Sequence, residues 1–197
     1  MDVTKCWRKR WKSSTSRELM RKLLLSLLLF TAPLAAQQPT TVILVRHAEK
    51  AAAPANDPPL TEAGQARAKA LAVIARDAGV TAIVTTQFAR TRETGAPAAE
   101  ALHITPDVVT AGGSQHVQDV ARVIRSHAGG VVLVVGHSNT IPAIIAALGA
   151  PQPPPICDSE YDNLYIVTLP ASGSAHVIRA RYGEPSPAEA GCGSMMR

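Results

Sequence analysis

Short apolar runs rich in β-branched residues recur along the chain, at residues 41–45, 81–85 and 131–135, and a stretch with helical spacing follows each of them. This alternation limits the fold more than any other feature. A run of about five apolar residues with no polar alternation suits a strand covered on both faces. Strands that alternate with helices pack as an α/β fold, a three-layer sandwich with a mostly parallel central sheet flanked by helices. In such sheets ligands bind beyond the carboxyl ends of the strands.

The spacing predicts a first helix over 61–78, with Thr61 as N-cap and Ala66, Ala70, Leu71, Ile74 and Ala78 along one face. A second, Ala-rich helix is expected over 90–102, interrupted at Gly95 and Pro97. A third is expected over 117–127, and a fourth over 139–148 with Ser138 and Asn139 at its cap. Residues 108–109 read as a short strand and 151–155 as a proline-rich loop. Asp158, Glu160, Tyr161 and Asp162 follow that loop and read either as the edge of a pocket or, the favoured account, as a solvated continuation of the loop. Two last strands are expected over 164–169 and 175–180, joined near Gly173, with an irregular tail beyond Gly183. No repeat or linker divides residues 37–197, which are expected to form a single domain.

The formal net charge of +5 does not describe that domain. Residues 1–36 carry eight Lys and Arg against two acids, so 37–197 hold twelve basic and thirteen acidic residues, a charge of −1. Both tryptophans, Trp7 and Trp11, also lie in the first segment. The remainder has neither the basic face nor the aromatic side chains of a nucleic-acid binder. Residues 20–36 resemble a secretory signal peptide: Arg21 and Lys22, an apolar run over 23–34, then Ala35-Ala36 before Gln37. The run is shorter than the roughly 20 residues that a membrane span needs, so no span is expected in the mature chain. Translation is expected to begin at Met20, and the processed protein to be exported to a periplasmic or extracellular compartment. There Cys157 and Cys192 form an even pair, and a disulfide between them is expected. The closed loop of about 35 residues would be worth roughly 3–4 kcal/mol in the chain-entropy account.

The strand ends hold the chemistry. Run 41–45 leads directly into Arg46-His47, run 81–85 leads through Gln87-Phe88-Ala89 to Arg90, and run 131–135 ends in Gly136-His137. Two arginines and two histidines thus gather at one rim of the expected sheet. Arginine forks match the non-bridging oxygens of a phosphoryl group and stay charged. A neutral imidazole nitrogen can attack phosphorus. Its other nitrogen must then carry the proton, held by an acceptor that selects the tautomer.

Four segments together resemble the histidine phosphatase superfamily, which includes phosphoglycerate mutases and acid phosphatases. They are Arg46-His47-Ala48, the stretch Leu60-Thr61-Glu62-Ala63-Gly64, Arg90-Thr91-Arg92-Glu93-Thr94, and Gly136-His137-Ser138. They occur in family order. The resemblance implies that His47 is the nucleophile and that Arg46, Arg90 and His137 bind the substrate phosphate. It further implies a phosphohistidine intermediate and turnover without metal or other cofactor. Ala48 stands where the family usually has Gly, a small residue replacing a smaller one. No segment matches the family's acidic proton donor. Glu49 is ranked first for that role and Asp107 second, ahead of water or a substrate group. The expected activity is that of an exported phosphomonoesterase acting on a small phosphorylated substrate. The alternative is a pseudo-phosphatase that keeps the anion pocket and has lost turnover.

Overall fold

The structure, a computed structural model, describes residues 38–186. The expected leader over 1–36, the start at Met20, the far end of the tail and Cys192 lie outside the described residues. The elements follow one another as β1 (Thr40–Arg46), α1 (Glu62–Asp77), β2 (Ala82–Thr85), α2 (Ala89–Leu102), β3 (Asp107–Val108), α3 (His116–Ser126), β4 (Val131–Gly136), α4 (Ile141–Ala147), β5 (Asn163–Leu169) and β6 (His176–Arg181). The strands form one sheet in the order β3-β2-β4-β1-β5-β6. The first four strands run parallel, and β5 and β6 add an antiparallel pair at one edge. This is the three-layer sandwich expected from the alternation.

The continuous apolar runs are explained by what covers them. Val42, Leu44, Val132 and Val134 face a layer that includes Val120 and Ile124 of α3 and Ile141, Ile144 and Ile145 of α4. Their chain neighbours Ile43, Val45, Leu133 and Val135 face the other layer, with Leu71 and Ala75 of α1 and Ala98 and Ala99 of α2. Each strand therefore has two buried faces, and no position on it calls for a polar residue.

Three expectations about helices are corrected. First, α2 runs without a break through Gly95 and Pro97. A proline inside a helix loses a hydrogen bond and costs about 3 kcal/mol. Thr91, Thr94, Gly95, Ala98 and Ala99 are all buried along this helix, and their packing offsets the loss. Gly95 lets the helix approach closely, because a Cβ there would lie 3.3 Å from Thr85 Cγ2.

Second, the inward face of α1 is rotated from the expected one. Gly64, Arg67, Ala68, Leu71 and Ala75 are buried, whereas Ala66 and Ala78 are exposed. Apolar spacing alone misplaced the face because a charged residue, Arg67, occupies an inward position through its partner Glu49. Third, α4 begins at Ile141 with Thr140 as its N-cap, so Ser138 and Asn139 stay in the turn that precedes it.

Candidate active site

Parallel pairing sets the site. Arg46 lies beside Gly136 in the β1–β4 register, and the ladder continues one step further, with His47 N–H donating to the Gly136 carbonyl at 2.9 Å. The residues that follow these two strands therefore emerge side by side. His47 and His137 meet edge to face with ring centroids 5.5 Å apart. Arg90, in the first turn of α2, joins them from the next strand over. A cavity of about 360 Å³ is lined by Arg46, His47, Arg90 and His137, along with Lys50, Phe88, Ser138 and Asp158 among others. A larger cavity of about 520 Å³ lies at the opposite end of the sheet, against Thr40, Arg125, Leu169 and Ala175, and holds none of these groups.

His47 is buried, with 4% of its surface exposed. Its Nδ1–H donates to the Ala48 carbonyl at 2.8 Å, which leaves the lone pair on Nε2, the atom that can act as nucleophile. The loop around it is fixed by backbone bonds. Ala48 N–H donates to Thr94 Oγ1 at 2.9 Å, and the Glu49 carbonyl accepts from both the N–H and the hydroxyl of Thr61. The Arg90 and Thr94 of the third motif thus do separate work from one helix face: Arg90 lines the cavity, and four residues on Thr94 holds the loop that follows His47. Burial lowers the His47 pKa to about 3, opposed by its bond to Ala48 and assisted by the charges of Arg46, His137 and Arg90. Burial likewise lowers that of His137 to about 4, assisted by Arg90, His116 and Arg46. Both rings are neutral at neutral pH. His137 Nε2 is hydrogen-bonded with Thr86 Oγ1 at 3.2 Å.

The turn after the proline-rich loop is not a solvated continuation. It grips Arg46. One guanidinium nitrogen, Nη1, donates to the carbonyls of Cys157, Asp158 and Glu160 at 2.9, 2.8 and 3.2 Å. The Tyr161 ring covers the same guanidinium, 4.2 Å from its Cζ to the ring centroid. The turn is itself braced. The Glu160 carboxylate accepts from Cys157 N–H at 3.2 Å and lies 3.4 Å from Arg179 and 3.5 Å from Arg181 of β6. On its own helix Arg90 meets Thr94 through its backbone carbonyl, which accepts from the Thr94 hydroxyl at 2.6 Å. Its guanidinium stacks on Phe88 at 4.2 Å and approaches Asp57 at 3.9 Å. Among the described residues the Nε atoms of Arg46 and Arg90 are both buried with no hydrogen-bond partner. A buried, partnerless charged donor costs several kcal/mol unless a ligand satisfies it.

The acids are not arranged as ranked from sequence. Glu49 is paired with Arg67 through three contacts of 2.7–3.0 Å, and it does not line the cavity. Asp107 accepts from His127 Nε2 at 2.9 Å on the edge strand β3 and lies outside the cavity as well. Among the described residues Asp158 is the one acid that lines the cavity. His116 is buried and donates from Nδ1 to the Thr110 carbonyl, behind the cavity wall. Phe88, Thr86 and the carbonyl clamp were not read from the sequence, and Tyr161 only as one of four residues that could edge a pocket. Phe88 was within reach, since it sits two residues before Arg90. The expected disulfide of Cys157 involves Cys192, outside the described residues. Among the described residues no three His, Cys, Asp or Glu side chains come together to hold a metal ion, and no helix is long and apolar enough to cross a membrane.

Comparison with known proteins agrees with this geometry. Residues 42–111 match the model of the histidine phosphatase superfamily, branch 1. Among solved structures the chain is similar to the protein histidine phosphatase SixA complexed with tungstate (TM-score 0.57, 19% identity, covering 72% of this chain and 96% of that one). It is similar also to mycobacterial glucosyl-3-phosphoglycerate phosphatase Rv2419c (TM-score 0.55, 15% identity, covering 74% and 99%). YhfR of Bacillus stearothermophilus gives a TM-score of 0.55 at 20% identity, covering 70% and 95%. At these identities the likeness is one of fold. No curated protein matches the sequence.

Proposed function

We propose that this chain, whose residues 42–111 match the model of the histidine phosphatase superfamily, is a phosphomonoesterase of that superfamily whose His47 Nε2 attacks phosphorus. One observation carries the reading. A neutral imidazole, its tautomer held by the Ala48 carbonyl, shares a cavity with two arginines whose buried Nε–H groups have no partner. A phosphoryl group supplies the oxygens that those donors lack. Arg46 and Arg90 then stabilise the charge that moves onto the equatorial oxygens as the bond to the leaving group breaks. His137 contacts the same oxygens from the second strand, and Lys50 adds positive charge at the cavity edge.

The substrate in this reading is a small phosphorylated molecule, and turnover needs no added metal. Export with removal of residues 1–36, and a disulfide joining Cys157 to Cys192, belong to the same proposal and rest on the sequence alone. The purified mature protein is expected to hydrolyse p-nitrophenyl phosphate in the presence of EDTA, with inhibition by tungstate. His47→Ala should lower kcat by at least about 10³-fold, the scale of losing a covalent nucleophile. Turnover that survives this substitution sinks the reading. Tight tungstate binding with no turnover by the wild type would favour the pseudo-phosphatase instead.

A further inference from the structure

We propose that Asp158 is the proton donor to the leaving group, the acid that the motifs do not supply. The inference rests on reading the cavity as a phosphatase site. In-line attack puts the leaving-group oxygen on the far side of phosphorus from His47 Nε2. His47 is buried at the end of β1, and Arg46, Arg90 and His137 surround the phosphoryl position. The leaving group therefore points toward the open mouth of the cavity. Asp158 is the acid that lines this cavity, and its side chain is 94% exposed, at the mouth.

Its position is built. Arg46 Nη1 binds the Asp158 carbonyl at 2.8 Å and the preceding carbonyl, of Cys157, at 2.9 Å. The residue that holds the phosphoryl group thereby also fixes the backbone of the acid. The carboxylate oxygen Oδ1 lies 3.6 Å from Arg46 Nη2, beside the guanidinium that lines the cavity. The other acids near the rim are committed elsewhere: Glu49 to Arg67, Asp57 to Ala89 N–H at the start of α2, and Glu93 to Leu60 N–H.

The chemistry balances. As Nε2 bonds to phosphorus, the bond from phosphorus to the ester oxygen breaks. The Asp158 carboxyl gives its proton to that oxygen, which departs as an alcohol. Water then attacks the phosphohistidine, and the phosphorus–nitrogen electron pair returns to Nε2. The Asp158 carboxylate takes the proton from that water, and phosphate leaves.

Rapid-quench measurement of His47 phosphorylation in wild type and Asp158→Asn tests the proposal. The substitution keeps the backbone carbonyl that Arg46 binds. Nitrophenolate departs without help from an acid, so phosphorylation by p-nitrophenyl phosphate is expected to change by less than about threefold. Phosphorylation by a simple alkyl phosphate needs the proton and is expected to fall by about 100-fold or more. Asp158→Glu should recover part of the alkyl rate. Equal effects on the two substrates, or none, overturn the proposal: a carboxylate that only tunes Arg46 would shift binding of both alike. Failure of the wild type to form phosphohistidine with either substrate overturns the phosphatase reading itself, and is distinguished by that outcome.

Discussion

The burial that keeps the His47 ring neutral at neutral pH also makes it a liability in acid. Its folded-state pKa of about 3, and that of about 4 for His137, lie below the ordinary value of 6.5. Between those limits the unfolded chain binds protons that the folded chain refuses. Folding stability therefore rises with pH through this window and is fully present above about 6.5. It is lost as the pH falls toward 4, by a few kcal/mol for the two rings together. Melting curves should show a Tm that is level above pH 7 and declines between pH 6.5 and 4. The decline should be shallower in a His47→Ala, His137→Ala double variant. Over the same range kcat/KM for p-nitrophenyl phosphate should show no break near 6.5, because the folded nucleophile stays unprotonated. A Tm insensitive to pH in this window would show that the rings are not held neutral. At this scale the sequence named His47, Arg46, Arg90 and His137 through residue type and motif, and the geometry brings all four together. It did not foresee that Glu49, ranked first among the acids, pairs with Arg67 away from the cavity, because a carboxylate's surroundings depend on which cation reaches it first. Two residues from the nucleophile, Glu49 faces α1 and meets Arg67.

The element that holds the nucleophile loop is the start of α1. Thr61 caps that helix, accepting from Gly64 N–H at 3.1 Å, and also donates to the Glu49 carbonyl. A Cβ on Gly64 would collide with that carbonyl oxygen and crowd the Glu49 nitrogen at 3.1 Å. Both are backbone atoms, which yield only if the loop moves. Gly64→Ala is therefore expected to destabilise by about 1–3 kcal/mol, against the stabilisation usual for such a change inside an exposed helix. It should lower kcat more than it raises KM, because it displaces His47 and leaves Arg90 and His137 in place. Urea unfolding and steady-state kinetics read the two effects. A gain in stability would show that the helix can stand away from the loop. The Leu-Thr-x-x-Gly motif was visible in the sequence as a helix start. Its work as a brace for another loop was not, since nothing within the motif reveals what it packs against. Strand direction was equally hidden. β5 pairs antiparallel with β1, with Leu164 opposite Val45, so its first residue lies at the carboxyl rim. That direction delivers Asp158, Glu160 and Tyr161 to Arg46; a parallel β5 would have placed the same loop at the other end of the sheet.

For the whole molecule, charge divides the chain at residue 36. The excess of positive charge belongs to residues 1–36 and the remainder is close to neutral, so the phosphate pocket draws on a few local cations rather than on a basic surface. If the leader is removed as proposed, protein recovered from outside the cytoplasm should begin at Gln37, which N-terminal sequencing reads. A retained Lys22 or an uncleaved apolar run would refute that processing. Sequence by itself determined the layered α/β sandwich, because strands buried on both faces must be apolar throughout and helices between them must carry an apolar stripe. It placed Arg46, His47, Arg90 and His137 at one rim, because strand ends deliver them there, and the structure has all four lining one cavity. Tertiary structure alone decided which acid faces the cavity, which carbonyls hold Arg46, and which face of α1 turns inward. Those depend on contacts between segments more than a hundred residues apart, as Arg46 and Glu160 are, and no local pattern encodes where two distant backbones will meet.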